Sequence, residues 1–233
     1  MAASVVPHSA QALPRTLYEL PFTPTGLNDL DHVVGGKAIS AAPGRGAFVF
    51  RNGRVEQLEL TPDAPAYPTD INDSGTIAGY LGASSSYVNG GLIKWQGTQI
   101  SSLTQSSPPG LTGSFPYARS INELGEIAGD YQPATTGVPR RGFVINATGD
   151  SSRELLVPDG SPDSGPITVN ALNDGGAVAG ATATPIAWDS TGAGRYLTAL
   201  LFGEASGINA LGVMVGTASP AIPRVLPRGV IWN

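Results

Sequence analysis

Five times along the chain an aliphatic residue is followed by asparagine, and a glycine stands seven residues after each of those asparagines. The copies are Gly26-Leu27-Asn28-Asp29 with Gly35, Asp70-Ile71-Asn72-Asp73 with Gly79, and Ser120-Ile121-Asn122-Glu123 with Gly129. Two more follow, Ala171-Leu172-Asn173-Asp174 with Gly180 and Gly207-Ile208-Asn209-Ala210 with Gly216. The asparagines lie 44, 50, 51 and 36 residues apart. A fixed internal offset with variable spacing between copies means one structural unit repeated and joined by loops of free length.

Each unit reads as a short meander. Asn, Asp and Gly tolerate positive φ, so the Asn-Asp-X-Gly phrase suits a tight hairpin. An apolar pair follows it, as in Ile77-Ala78 and Ile127-Ala128, and then a loop rich in Gly, Ser and Pro. The third strands are Ala47–Phe50, Leu92–Trp95, Gly142–Ile145, Pro185–Trp188 and Gly229–Trp232, and fourth strands at Val55–Leu60, Gln99–Leu103, Glu154–Val157 and Tyr196–Leu200 close the first four copies. Four antiparallel strands every ~40–50 residues is the period of a β-propeller blade. Composition agrees: charged residues are 13%, too few for long solvated helices, while 31 glycines and 20 prolines supply turns.

The sequence therefore predicts an all-β fold, a five-bladed β-propeller over residues 16–233, with residues 1–15 as a flexible leader. The chain stops after the third strand of the fifth copy, and a strand-like segment, Thr16–Pro21, precedes the first. Closure of the ring by this segment, acting as the outer strand of the last blade, would leave no unpaired inner edge.

The phrases Asp70–Gly79 and Gly46–Phe50 resemble the extracellular HAF-repeat proteins, which pair an Ile-Asn-x-x-Gly-x-Ile-Val-Gly phrase with a His-Ala-Phe-Leu-Trp phrase. The resemblance covers residues 16–233. The histidine of the second phrase is replaced by Gly46, Gly91, Arg141, Thr184 and Arg228. Membership implies a bacterial origin and often export, and brings no established catalytic residue with it.

Charge and residue content exclude several functions. The net charge is −5 with two lysines, and the longest arginine run is Arg140-Arg141, so neither nucleic acid nor an anionic membrane is an expected partner. Without cysteine there is no disulfide, thiolate nucleophile or Cys-ligated metal. His8 falls in the leader and His32 beside an Asn-Asp turn, which argues against a Ser-His-Asp triad or a His-rich metal site. No phosphate loop is present. Asn72–Gly75 resembles a calcium loop only superficially, because the later acidic ligands are missing. No cofactor and no metal is expected, and the chain is expected to be a monomer. The start lacks the basic and apolar regions of a signal peptide, which leaves a cytoplasmic protein or an exported one whose leader was removed.

In a propeller the loops between second and third strands share a face with the loops between blades, and here those loops are long and dissimilar. The short Asn-Asp turns occupy the opposite face. Just before each repeat's aliphatic residue stand Gly26, Asp70, Ser120, Ala171 and Gly207, and one residue earlier Thr25, Thr69, Arg119, Asn170 and Ser206. Asp70 and Arg119 are the only charges in these rows and are expected to form a polar pair, structural or catalytic. Tyr67, Tyr80, Tyr117, Tyr131, Arg140 and Arg141 are the candidate ligand-binding residues, with Arg45, Tyr87, Arg224 and Arg228 on the same loops. Asp130 occupies in the third copy the place of Tyr80 in the second, which makes it a third candidate catalytic group. Two functions fit. One is a module binding a carbohydrate or other small organic molecule in one asymmetric site on the long-loop face. The other is a cofactor-independent lyase, cyclase or hydrolase using Asp70, Arg119 and Asp130 for acid–base chemistry.

Overall fold

Each copy of the repeat folds into one antiparallel meander. The computed structural model describes residues 17–40, 44–83, 90–103, 111, 113–158, 165–197, 201–220 and 226–233. All nineteen elements among them are strands, arranged in five sheets. The inner strands are Thr23–Leu27, Ala66–Ile71, Gly113–Ile121, Thr168–Leu172 and Leu201–Ile208, and the second strands are Val33–Ala38, Thr76–Leu81, Ile127–Pro133, Val178–Ala181 and Met214–Pro220. Third strands follow at Arg45–Arg51, Gly91–Gln96, Arg141–Ile145, Pro185–Trp188 and Arg228–Trp232. Outer strands Arg54–Gln57, Gln99–Leu103, Ser152–Leu155 and Gly194–Tyr196 complete the first four sheets. Residues from all five inner strands surround one central cavity of about 530 Å³.

The repeated glycine is explained by close approach rather than by an unusual φ. Every inner strand carries a bulge whose extra residue is Thr25, Thr69, Arg119, Asn170 or Ser206. The glycine seven residues after the asparagine lies opposite that bulge. A Cβ there would run into the carbonyl oxygen of Thr23, Tyr67, Tyr117, Thr168 or Glu204 in the five sheets respectively. The turn glycine has a different reason: Gly75, Gly125, Gly176 and Gly212 all take φ between +76° and +80°, and in the first copy Asp31 takes +59°.

The repeated asparagine works in two directions. Its side-chain oxygen accepts from backbone N–H groups of its own turn, as in Thr76 to Asn72 at 2.9 Å and Ala177 to Asn173 at 2.9 Å. Its amide nitrogen donates to the backbone carbonyl of the next asparagine. Asn28 reaches Asn72 at 2.9 Å, Asn72 reaches Asn122 at 3.0 Å, Asn122 reaches Asn173 at 3.2 Å and Asn173 reaches Asn209 at 3.0 Å. The following residue adds a parallel link, with the N–H of Asp29 donating to Asp73, Asp73 to Glu123 and Glu123 to Asp174. One side chain thus shapes the hairpin and ties it to its neighbour.

The core lies between successive sheets. Val34, Ala47 and Val49 of sheet one pack on Ile71, Ile77 and Trp95 of sheet two. Sheets two and three meet through Ala78 and Leu92 against Ile121, Ile127 and Phe143, and sheets three and four through Val144 and Leu155 against Val178 and Trp188. Sheets four and five share the small cluster of Ala179, Ala187, Ala205 and Met214.

The row stops at sheet five. Val215 occupies the place of Val34, Ala78, Ala128 and Ala179, all of which are fully buried, yet it is 48% exposed. Ile231 is 68% exposed where Val49 and Val144 are buried. Asn209 is exposed, whereas the four preceding asparagines are buried. The expected closing strand does not form among the described residues: Leu17–Leu20 belong to no strand, and sheet five has three strands. Aromatic contacts hold this segment on sheet one instead. Tyr18 packs on Phe50 with ring centroids 5.0 Å apart, and Phe22 stacks on Phe48 at 5.8 Å. The expected leader, with His8, lies outside the described residues.

Candidate functional site

Position eight after the repeat asparagine is Gly36 in the first sheet, Tyr80 in the second and Asp130 in the third. The structure brings all three to one place, at the long-loop ends of the first three sheets. Pairing across the inner and second strands sets Tyr67 opposite Tyr80 and Tyr117 opposite Asp130. The Tyr67 and Tyr80 rings stack at 4.8 Å with planes 8° apart, and Tyr117 meets Tyr80 edge to face at 4.9 Å. Cations flank this row at both ends. Arg45 lies 4.8 Å over Tyr67, in space kept open by Gly36, where a Cβ would meet the guanidinium at 2.9 Å. At the other end Arg140 lies 4.8 Å and Arg119 5.5 Å over the Tyr117 ring.

Asp130 fixes the second pair of cations. Its side chain is fully buried, accepts a hydrogen bond from Arg119 Nε at 2.8 Å and forms an ion pair with Arg140 Nη1 at 3.1 Å. The two arginine side chains are only about two-thirds covered, at 35% and 38% exposure. A carboxylate without water persists when cations neutralise it, and here two guanidiniums do so while keeping outward surface. Burial works against the Arg119 charge, but the hydrogen bond and charge of Asp130 outweigh it and hold that guanidinium above its ordinary pKa. Burial raises the Tyr80 phenol, although Arg119 opposes the shift, so Tyr80 is a neutral donor at physiological pH.

No family model and no curated protein matches the chain. Among solved structures it is similar to TolB from Acinetobacter baumannii, with a TM-score of 0.52 and 14% identity over 87% of this chain and 50% of that one. The chain thus spans half the length of the TolB structure. The fold is a β-propeller. Five sheets, each an antiparallel meander around a shared central cavity, fit five blades. Two further similar structures are a gluconolactonase from Xanthomonas campestris (TM-score 0.47, 14% identity, 83% of this chain and 67% of that) and a subtype N11 neuraminidase-like protein of A/flat-faced bat/Peru/033/2010 (0.41, 10%, 80% and 64%).

Six of the candidates named from sequence therefore converge on blades one to three: Arg45, Tyr67, Tyr80, Tyr117, Arg119 and Arg140, with Asp130 at their base. The expected Asp70–Arg119 pair is not formed. A bulge makes Arg119 the extra residue of its strand and turns it onto Asp130 of its own blade. Asp70 lines the central cavity and bonds across to the next blade. Its two oxygens receive the Ile71 N–H, the Ser120 hydroxyl and the Ile121 N–H, each at 3.0 Å. Burial raises its carboxyl above the usual range, against the pull of those three hydrogen bonds. Asp70 is thus an inter-blade tie.

Tyr131 and Arg141 lie apart from this row, because alternation along a strand sends neighbours to opposite faces. Tyr131 is buried against Phe143 at 6.2 Å and donates its hydroxyl to Glu154 at 3.3 Å. Arg141 acts on the Tyr131 phenol. Arg228 begins the third strand of blade five, and Tyr87 and Arg224 lie outside the described residues. Sequence reasoning missed the inter-blade role of the asparagines, which spacing along one chain does not encode. It also missed Lys94, a buried lysine that donates to the carbonyls of Gly125 at 2.8 Å and Ala147 at 2.7 Å in the next blade. Among the described residues no group of three or more His, Asp or Glu side chains is placed to hold a metal.

The Tyr131 phenol is pushed up to about 12, by burial first and then by the Glu154 carboxylate. A raised phenol contributes stability that is intact below its unfolded pKa and is lost as pH climbs through the folded one. The stability advantage of the natural protein over Tyr131→Phe should therefore shrink between about pH 10 and pH 12. Denaturant unfolding of both proteins across that interval measures it, and a constant difference would refute the assignment.

Proposed function

We propose that this chain is a ligand-binding β-propeller whose site is the tyrosine–arginine row at the long-loop ends of blades one to three. Its ligand is a carbohydrate or another small organic molecule. The observation that carries this reading is the convergence of three half-buried tyrosines and three arginines from separate blades on a place where large side chains break the repeat. A repeat scaffold needs only small residues there, and blades four and five carry Ala181 and Thr217.

Binding is favoured over turnover by the state of the carboxylates. General acid–base catalysis needs a group free to exchange a proton with substrate. Asp130 is buried beneath two guanidiniums, and both oxygens of Asp70 are engaged in hydrogen bonds between blades. The HAF-repeat relationship stands beside this as part of the same proposal, carried by the repeat phrase alone.

A thermal-shift and calorimetric screen with neutral sugars, sugar acids and aromatic acids tests the reading. Arg140→Ala serves as the control, since Arg119 still neutralises Asp130 in that variant. A ligand whose stabilisation disappears in Arg140→Ala supports the site. A screen with no binder, or a binder indifferent to the substitution, overturns it.

A further inference from the structure

The row differs in one respect from an open sugar-stacking platform: its ring faces are already occupied. Tyr67 has Arg45 over it at 4.8 Å and Tyr80 stacked parallel at 4.8 Å. Tyr80 also receives Tyr117 at 4.9 Å, and two guanidiniums lie over Tyr117. A sugar ring or an aromatic ligand arriving here meets ring edges and N–H and O–H donors, with little free π surface to stack on.

The donors are in surplus. Three arginines face one acid, so the row carries two positive charges on a chain whose net charge is −5. Arg119 uses Nε and Nη2 on Asp130, at 2.8 and 3.5 Å. Arg140 reaches Asp130 through Nη1, and among the described residues this is the one polar contact of its side chain. Among the described residues the buried Nε of Arg45 has no hydrogen-bond partner. A guanidinium has five N–H donors in a rigid fork matched to planar oxyanions, and aromatic packing beneath Arg140 holds that fork in place.

Resting on the ligand-binding reading above, we propose that the ligand of this site carries a carboxylate, taken by the outward N–H donors of Arg140 beside Arg119. The tyrosines act as a rigid wall and supply hydroxyl donors. Asp130 is a positioning residue: it aims the two arginines and does not touch the ligand. A sugar acid and an aromatic acid both offer the required group, and the test separates them.

The probes are glucuronic acid and 4-hydroxybenzoic acid, each compared with its methyl ester, with sodium acetate and sodium chloride at matched ionic strength as minimal anions. Binding is read by calorimetry and by the arginine Nε–H resonances in NMR. Acetate should move the Arg140 resonance saturably where chloride does not. One of the two acids should bind at least tenfold more tightly than its ester, and which one does so identifies the source of the carboxylate. Arg140→Lys keeps the charge but loses the fork, and should weaken the acid at least tenfold while leaving the ester unchanged. Equal binding of acid and ester, or equal weakening of both by Arg140→Lys, overturns the carboxylate and leaves the site standing. If neither acids nor esters bind and acetate moves no arginine resonance, the carboxylate falls, and the ligand-binding reading is decided by the wider screen with neutral sugars.

Discussion

Asp130→Ala should lower the stability of the protein by about 3 kcal/mol, and the loss should be largely recovered in the triple variant that also carries Arg119→Met and Arg140→Met. Removing one partner of a buried ion pair costs roughly 3–5 kcal/mol, because the remaining charge stays without compensation. The lower end applies, since Arg119 and Arg140 are each about one-third exposed and can turn toward water. Urea unfolding of the natural protein, the single variant and the triple variant measures the difference. An Asp130→Ala protein as stable as the natural one would mean that the carboxylate does not organise the arginines. The same variant should also abolish carboxylate binding, although Asp130 touches no ligand.

The second large effect is expected at Asn72. Asn72→Ala removes the bond to the Asn122 carbonyl at 3.0 Å and the bonds accepted from Thr76 N–H at 2.9 Å and from the Ser74 hydroxyl at 2.7 Å, at a residue only 2% exposed. Leaving buried polar groups unpaired costs about 1–3 kcal/mol for each. A total of ~3 kcal/mol corresponds to a fall of roughly 6–12 °C in Tm for a domain of this size. Asn209→Ala makes the comparison internal. Asn209 accepts from Leu211 and Val213 N–H groups, but it is exposed, and among the described residues its amide donates to no neighbouring blade. Water replaces its lost bonds, and the expected cost is under about 1 kcal/mol. Equal effects at the two positions would show that the asparagine matters for its hairpin alone.

Much of the fold was legible because the repeat is enforced by contacts within a blade. The glycine seven residues after each asparagine marks the strand that passes a bulge, and the Asn-x-x-Gly phrase marks the hairpin; both leave a trace at fixed spacing. The outer strand Gln99–Leu103 falls at its expected bounds, while that of blade four is Gly194–Tyr196, meeting the expected Tyr196–Leu200 only at Tyr196; residues 198–200 lie outside the described ones. Contacts between blades leave no such trace. Nothing in the spacing says that Asn72 donates to Asn122, or that Leu17–Leu20 stays on blade one through Tyr18 and Phe50.

The site divides along the same line. Tyr80 and Asp130 share a repeat position, and alignment of the copies alone places them together. Asp70 and Arg119 stand in adjacent rows, but the bulge between those rows sends one to Ser120 and Ile121 and the other to Asp130. An Asp70→Asn substitution therefore leaves the partner of Arg119 in place. Tyr131 and Arg141 were grouped with the site by loop membership, and strand alternation removes them.

A chain built from one joint used four times behaves as a short linear lattice, in which each unit's resistance to opening is its own stability plus what its neighbours contribute. Among the described residues blade five packs on blade four through a small alanine-rich seam, has three strands, and its asparagine donates to no further blade. It is the unit with the least holding it shut. Amide hydrogens of residues 201–220 and 228–232 should accordingly exchange through local opening well before those of blades two and three, which are packed on both sides. The tyrosine–arginine row is built from blades one to three, so its geometry does not depend on blade five staying shut.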